Sequence, residues 1–261
     1  ILLYLKGQRS MKNELISIGP ITIYAYGLMI AIGVISAFLV ADKRAQKMNL
    51  DENKLLNIAI WAVIGGILGA KFLYIVTQIK EIISDPKSIL DVTRGFVVYG
   101  GIIGGIIAGV LYCKKAKINS MQYFDLIMPS VALAQGFGRI GCFLAGCCYG
   151  IETTSRFAVV FHESDFAPNG IRLLPAQLIS SGLNFIHFIV LILIARRSNK
   201  EGQVAGFYLI FYSLGRFVLE FFRGDLARGS IGTLSTSQFI SIFVFIIGLV
   251  FVFRKKVADT D

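Results

Sequence analysis

Apolar residues along the chain gather into seven long runs parted by polar or charged segments, at residues 21–41, 55–79, 96–113, 121–138, 176–195, 204–222 and 237–253. Each run of about 17–25 residues is long enough for a helix to cross a hydrocarbon core about 30 Å thick. The pattern predicts an all-α integral membrane protein with about seven transmembrane helices. The longest break, residues 139–175, holds Phe157 to Phe161 followed by Asp165, Pro168, Asn169 and Gly170. Aromatic and apolar residues bounded by turn formers predict a short strand or hairpin beside the membrane, a small extracytoplasmic loop and strand region.

Composition sharpens this picture. With 55% hydrophobic and only 16% charged residues and a mean hydropathy of +0.70, the chain is neither disordered, nor collagen-like, nor an ordinary soluble domain. The formal charge of +10 is scattered between apolar runs and forms no helical stripe, which favours anionic lipid over nucleic acid as its counterpart. Thirteen basic residues crowd the short segments after the first, third, fifth and seventh runs, against eleven spread over more than twice that length on the other side. Basic density therefore places the N-terminus outside and the C-terminus in the cytoplasm. Residues 1–10 precede Met11 and are expected to be an upstream extension rather than part of the fold.

Glycines recur at Gly65, Gly66 and Gly69 and again at Gly100, Gly101, Gly104 and Gly105. Small residues at this spacing let helix backbones approach closely, a better reading than a phosphate loop. The candidate chemistry lies elsewhere. An arginine inside a span costs about 2.5–3.5 kcal/mol on insertion scales, so Arg216 needs a partner. Tyr212, Arg216, Glu220 and Arg223 recur at helical intervals that stack them on one face. They form either a structural ion pair, Arg216 to Glu220, with Arg223 snorkelling to the headgroups, or a cationic pocket for an anionic headgroup, where a guanidinium forks onto phosphate oxygens.

A second cluster surrounds Arg139 with glycines at 136, 138, 141, 146 and 150. Each glycine costs about 0.8–1.0 kcal/mol relative to alanine in a helix, so the segment predicts a re-entrant or helix-end structure lining a cavity. Cys142, Cys147 and Cys148 crowd the same segment. Their spacing is that of no disulfide framework. Buried thiols or a reversible disulfide are the ordinary outcome, with a three-cysteine metal site completed by water as the rarer one. No cofactor or metal is expected. Cys113 is expected only to pack, as is His187 in an apolar run; His162 lies in the outer loop.

Gly138-Arg139-Ile140-Gly141 followed by Gly146 and Tyr149-Gly150, Tyr24-Ala25-Tyr26-Gly27, and Gly215-Arg216-Phe217 through Glu220 to Arg223 resemble the bacterial prolipoprotein diacylglyceryl transferase family. Gly19-Pro20, Gly65-Gly66 and Pro175 with Gln177 fall where that family has similar residues, so the resemblance spans nearly the whole chain after Met11. It implies a single transmembrane transferase domain over residues 11–261, in the bacterial cytoplasmic membrane. The enzyme would move a diacylglyceryl group from phosphatidylglycerol to the lipobox cysteine thiol of a prolipoprotein signal peptide, leaving a thioether and releasing glycerol phosphate. By the same resemblance Arg139 holds the phosphate, and Arg216 stabilises the leaving group or helps activate the thiol. Tyr26, Glu220 and Gly150 shape or orient the site, with Cys142, Arg223 and Tyr212 beside the substrate.

The chain departs from the family pattern at informative places. Val98-Tyr99-Gly100-Gly101 carries tyrosine where the family has a histidine proposed as base. A phenol with a reference pKa of about 10 is a poor base at neutral pH, so Tyr99 is expected to orient substrate by hydrogen bonding. Cys142 replaces an asparagine, Cys147 a glutamate, and Lys71 an arginine, which alters the polarity of the site. Two rival readings are a paralogue with the same lipid donor and another acceptor, and a small transporter. Transporters are commonly built from paired repeats, whereas the arginine–glycine segment occurs once.

Overall fold

The computed structural model describes residues 14–18, 21–79, 83, 95–225 and 229–254. The extension before Met11, Gly19-Pro20 and the basic residues Lys6, Arg9, Lys12, Lys80, Lys87, Arg94, Arg228, Lys255 and Lys256 lie outside the described residues. Seven long helices carry the fold: α1 Ala25–Lys47, α2 Glu52–Thr77, α3 Val98–Lys115, α4 Ser120–Ala145, α5 Ala176–Ala195, α6 Gln203–Glu220 and α7 Thr236–Phe253. All but α6 are long and apolar enough to cross a bilayer. The exception is the helix that carries Arg216 and Glu220. Large apolar side chains such as Val34, Leu68, Phe72, Ile186 and Val250 face outward, as lipid-exposed helices require. The protein is a multi-pass integral membrane protein.

Two of the predicted runs end elsewhere than expected. Residues 21–24 form strand β2, Ile21–Tyr24, paired antiparallel with β1, Glu14–Ile18, and only then does α1 begin. The glycine-rich segment after residue 135 is not re-entrant, because α4 runs unbroken through Gly136, Gly138, Arg139 and Gly141 to Ala145. Its glycines make room for neighbours that supply the contacts a lone helix would lack. A Cβ on Gly136 would meet the Phe185 ring at 2.6 Å, and one on Gly141 would meet Tyr26 and Met29 at 3.1 and 3.2 Å.

Helices fall into two units. In the unit of residues 42–123, Asp51 caps α2 by accepting from Asn53 N and Lys54 N, and α2 packs against α3 along the glycine seam predicted from the sequence. A Cβ on Gly65 would reach the Gly104 carbonyl oxygen at 2.6 Å, and one on Gly69 would collide with that of Gly100. Lys71 is held at 5.3 and 5.5 Å from the ring centroids of Tyr74 and Phe96, so cation–π attraction offsets part of its burial.

The other unit takes residues up to 41 and from 124 onward. Ala132, Leu191, Val204 and Tyr208 form its core between α4, α5 and α6. Polar ties fix the register of these helices: Gln135 donates to the Tyr208 hydroxyl at 2.9 Å and Ser181 to the Gly136 carbonyl at 2.8 Å. α6 and α7 touch at Gly206 and Gly248, where a side chain on either would clash with the opposing backbone. The predicted hairpin in the long loop is present, Val159–Val160 (β3) against Arg172–Leu173 (β4), and two further residues pairs, Ser230–Ile231 (β5) and Leu234–Ser235 (β6), lead into α7.

The N-terminus of α6 is capped from a distance in sequence. Asp125 on α4, buried, accepts from Gly202 N at 2.7 Å through one carboxylate oxygen and from Ala205 N at 2.8 Å through the other. Carboxylate at a helix N-terminus satisfies orphan donors and complements the helix dipole. Asp125→Ala is therefore expected to cost about 1–2 kcal/mol, read as a lower Tm of the detergent-solubilised protein. Asp125→Asn keeps one acceptor and should lose less; equal stability of both variants to the parent would remove the cap from the account.

Candidate active site

The site is built from the ends of α4, α5 and α6 and the segments that follow α4 and α6. A small cleft is lined by Arg139, Cys148, Ala176, Gln177, Ser180, Arg216, Leu219 and Arg223. Arg139 and Arg216, drawn from helices far apart in sequence, face the same space.

Arg216 and Glu220, one turn apart on α6, form an ion pair through Nη1, and Nη2 of Arg216 donates to Ser237 Oγ on α7 at 2.7 Å. Apart from the ion pair, that Glu220 oxygen is buried with no hydrogen-bond partner. Arg223 does not snorkel. α6 ends at Glu220, the chain turns, and Arg223 is buried with a bidentate contact to Asp225 at 2.9 and 2.7 Å. Burial opposes its charge, yet the carboxylate of Asp225 and the sulfur of Cys148 more than offset it and raise its pKa. Arg139 differs from both, since no hydrogen bond or ion pair engages it among the described residues. Three guanidinium groups thus meet two paired carboxylates, which leaves a net positive charge in a partly enclosed space.

Backbone packing at Gly150 fixes Arg223. Gly150 bridges Arg223 in antiparallel fashion, Ile151 N donates to Phe222 O at 3.0 Å, and Gly224 N donates to Tyr149 O at 3.0 Å. A Cβ at Gly150 would collide with the Leu174 carbonyl and approach that of Phe222 at 3.0 Å. Three chain segments meet there with no room for a side chain. Gly150 shapes the site through backbone alone.

The remaining predicted residues divide. Tyr26 on α1 packs over Gly141, within electrostatic reach of Arg139 and of the three thiols. Tyr212 does not line the cleft; it stacks on Tyr208 with ring centroids 5.8 Å apart. Cys142 does not line the cleft either and joins a cluster with Cys147 and Cys148, whose Sγ atoms all lie within 4.8 Å of one another. None of these cysteines is in a disulfide. Hydrogen bonds with Cys142 and Cys147 hold the Cys148 thiol below the ordinary range, helped by Arg223, whereas hydrogen bonds with Cys142 and Cys148 push Cys147 up. Tyr99 belongs to the other unit, exposed at the start of α3. His162 is exposed in the loop, and His187 stacks on Tyr208 at 5.2 Å.

Sequence reasoning left Asp225, Ser237 and Ser180 unmarked and gave Gln177 no role. Gln177 is buried, donates to the Cys147 carbonyl at 2.9 Å, and presents a side-chain oxygen with no hydrogen-bond partner at the cleft. Asp225 carried a faint signal, a carboxylate two residues after an arginine at a helix end.

Residues 13–254 match the model of the family described as prolipoprotein diacylglyceryl transferase. The chain is 50% identical over 244 residues to a phosphatidylglycerol–prolipoprotein diacylglyceryl transferase of Clostridium tetani, covering 94% of this chain and 97% of that protein. It is 47% identical over 240 residues to one of Clostridium perfringens, covering 92% and 93%. A relative of the same name from Finegoldia magna is 32% identical over 255 residues, covering 96% and 99%.

Proposed function

The chain belongs to the prolipoprotein diacylglyceryl transferase family, and from that premise we propose how its residues carry the transfer. The enzyme moves a diacylglyceryl group from phosphatidylglycerol to a prolipoprotein. The acceptor is the thiol of the lipobox cysteine beside the signal peptide. Its sulfur attacks the glyceryl carbon next to the phosphate, the carbon–oxygen bond breaks, and glycerol phosphate departs with the electron pair. Charge that concentrates on a departing phosphate in a water-poor cleft is best met by fixed cations.

Arg139 holds the phosphate, and Arg216 and Arg223 stabilise the charge as it builds on the leaving group. Glu220 and Asp225 hold those two guanidinium groups in place. Tyr26 orients the lipid from α1, and Gly150 permits the close chain approach behind Arg223. The observation that carries this reading is Arg139, a half-buried cation in the cleft with no carboxylate engaged among the described residues. Burying an unpaired cation is costly unless an anionic ligand completes it.

The distribution of basic residues supports a cytoplasmic membrane placement with the N-terminus outside and the C-terminus in the cytoplasm, and the chain from residue 11 acts as one transferase domain. The test supplies purified protein in phosphatidylglycerol vesicles with a lipobox peptide. A mass gain on the peptide cysteine equal to one diacylglyceryl group is expected. No adduct, beside an active control enzyme, would favour a different acceptor.

A further inference from the structure

Three thiols converge at the edge of the arginine cleft, and the transfer as written gives them no task. Cys142 lies on the last turn of α4, and Cys147 and Cys148 follow the Gly146 turn. Backbone geometry brings them together: Cys147 N donates to Cys142 O at 3.1 Å, and Gln177 holds the Cys147 carbonyl. Gly146 and Cys148 both take left-handed conformations, with φ of 73° and 60°. For Cys148, a residue with a Cβ, that conformation costs about 1–2 kcal/mol. The three Sγ atoms end within 4.8 Å of one another, and a tetrahedral zinc–thiolate site with bonds of about 2.3 Å needs its sulfurs about 3.8 Å apart. A side-chain adjustment of under about an ångström closes that gap.

We propose that Cys142, Cys147 and Cys148 bind one zinc ion and that its fourth position, on the cleft side where Cys148 stands, takes the sulfur of the acceptor cysteine. This rests on the lipobox thiol being the acceptor, as proposed above. Soft thiolate donors select zinc over magnesium or calcium, and three protein ligands with one open position is the arrangement of zinc sites that act on a substrate. Three thiolates around a divalent ion carry one net negative charge, which Arg223 faces directly through Cys148. Thiolate, not thiol, is the nucleophile, and among the described residues no histidine lines the cleft to produce it. On binding zinc, the acceptor's S–H bond breaks and its proton passes to water at the cleft mouth. The zinc-held sulfur then gives an electron pair to the glyceryl methylene carbon while the carbon–oxygen bond to phosphate breaks, and the neutral thioether, a weak zinc ligand, leaves.

The experiment uses the full chain purified in detergent under reducing conditions and equilibrated with Zn²⁺. About one tightly held zinc per chain is expected, retained in Cys113→Ser and lost in Cys147→Ser. Substitution with Co²⁺ should give thiolate-to-cobalt charge-transfer absorption that shifts on adding a lipobox peptide, and does not shift with the same peptide carrying serine for cysteine. Less than about a tenth of a zinc per chain, a disulfide among the three cysteines, or zinc retained by Cys147→Ser overturns the site. A cobalt band indifferent to the peptide overturns the open position, as does full transfer by the parent chain after a chelator has stripped its zinc. That last arm is independent of any folding defect in a variant. Transfer without zinc leaves the proposed function standing, whereas a peptide-sensitive cobalt band without any diacylglyceryl adduct supports the site and counts against that function.

Discussion

Arg139→Ala is expected to lower diacylglyceryl transfer by about a hundredfold to a thousandfold while leaving the amount of protein in the membrane unchanged. The expectation follows from how charge is shared in the cleft. Arg216 is engaged by Glu220 and Ser237, and Arg223 by Asp225. Their positive charge is largely answered before substrate arrives. Arg139 has no such engagement among the described residues, so its removal takes away the charge still available to a phosphate. Loss of an unpaired, half-buried cation also relieves part of a desolvation cost, so thermal stability in detergent should hold or rise slightly. Rates and adduct masses in phosphatidylglycerol vesicles, with membrane abundance measured alongside, check both halves. Transfer within a fewfold of the parent would take Arg139 out of phosphate binding.

Several features of this site could be read in the sequence because they are local. Run length gave the helices, and the intervals of four from Tyr212 to Arg216 to Glu220 gave the ion pair, since both depend only on helix periodicity. Of the stripe's two ends, Arg223 reaches the cleft but not by helix periodicity, and Tyr212 does not reach it. Arg223 lies beyond the helix end, where a turn and the Gly150 bridge decide its direction. Tyr212 shares the face but sits one turn deeper, where the Tyr208 ring claims it.

Gly136 and Gly141 misled in the opposite sense. Their intrinsic cost argued against helix, yet Phe185, Tyr26 and Met29 fill the space they leave, and packing of that kind overrides propensity. Nothing in the neighbourhood of residue 125 announces that its carboxylate caps a helix beginning near residue 203. The convergence of Cys142 with Cys147 and Cys148 was visible as crowding, but not as geometry. It depends on Cys148 taking a conformation that a cysteine rarely adopts.

Arg216→Lys is expected to reduce transfer by about tenfold to a hundredfold, although it preserves formal charge. The guanidinium of Arg216 spans two partners on different helices, Glu220 through one terminal nitrogen and Ser237 through the other. A lysine ammonium is a point charge on a flexible stem and cannot hold that fork while also facing the cleft. It is expected to settle on Glu220, withdrawing charge from the departing phosphate. Wild-type rates in the lysine variant would reduce Arg216 to charge compensation. A structural role and a chemical one are separable here. Arg216→Met alone strands the buried Glu220 carboxylate and should destabilise the protein by about 3–5 kcal/mol. Adding Glu220→Met removes the stranded charge and should recover most of that stability, because a buried ion pair and an apolar pair of similar volume are often nearly equivalent. If the pair served only the fold, the double variant would regain transfer along with stability; with Arg216 acting on the leaving group, it stays inactive at a restored Tm.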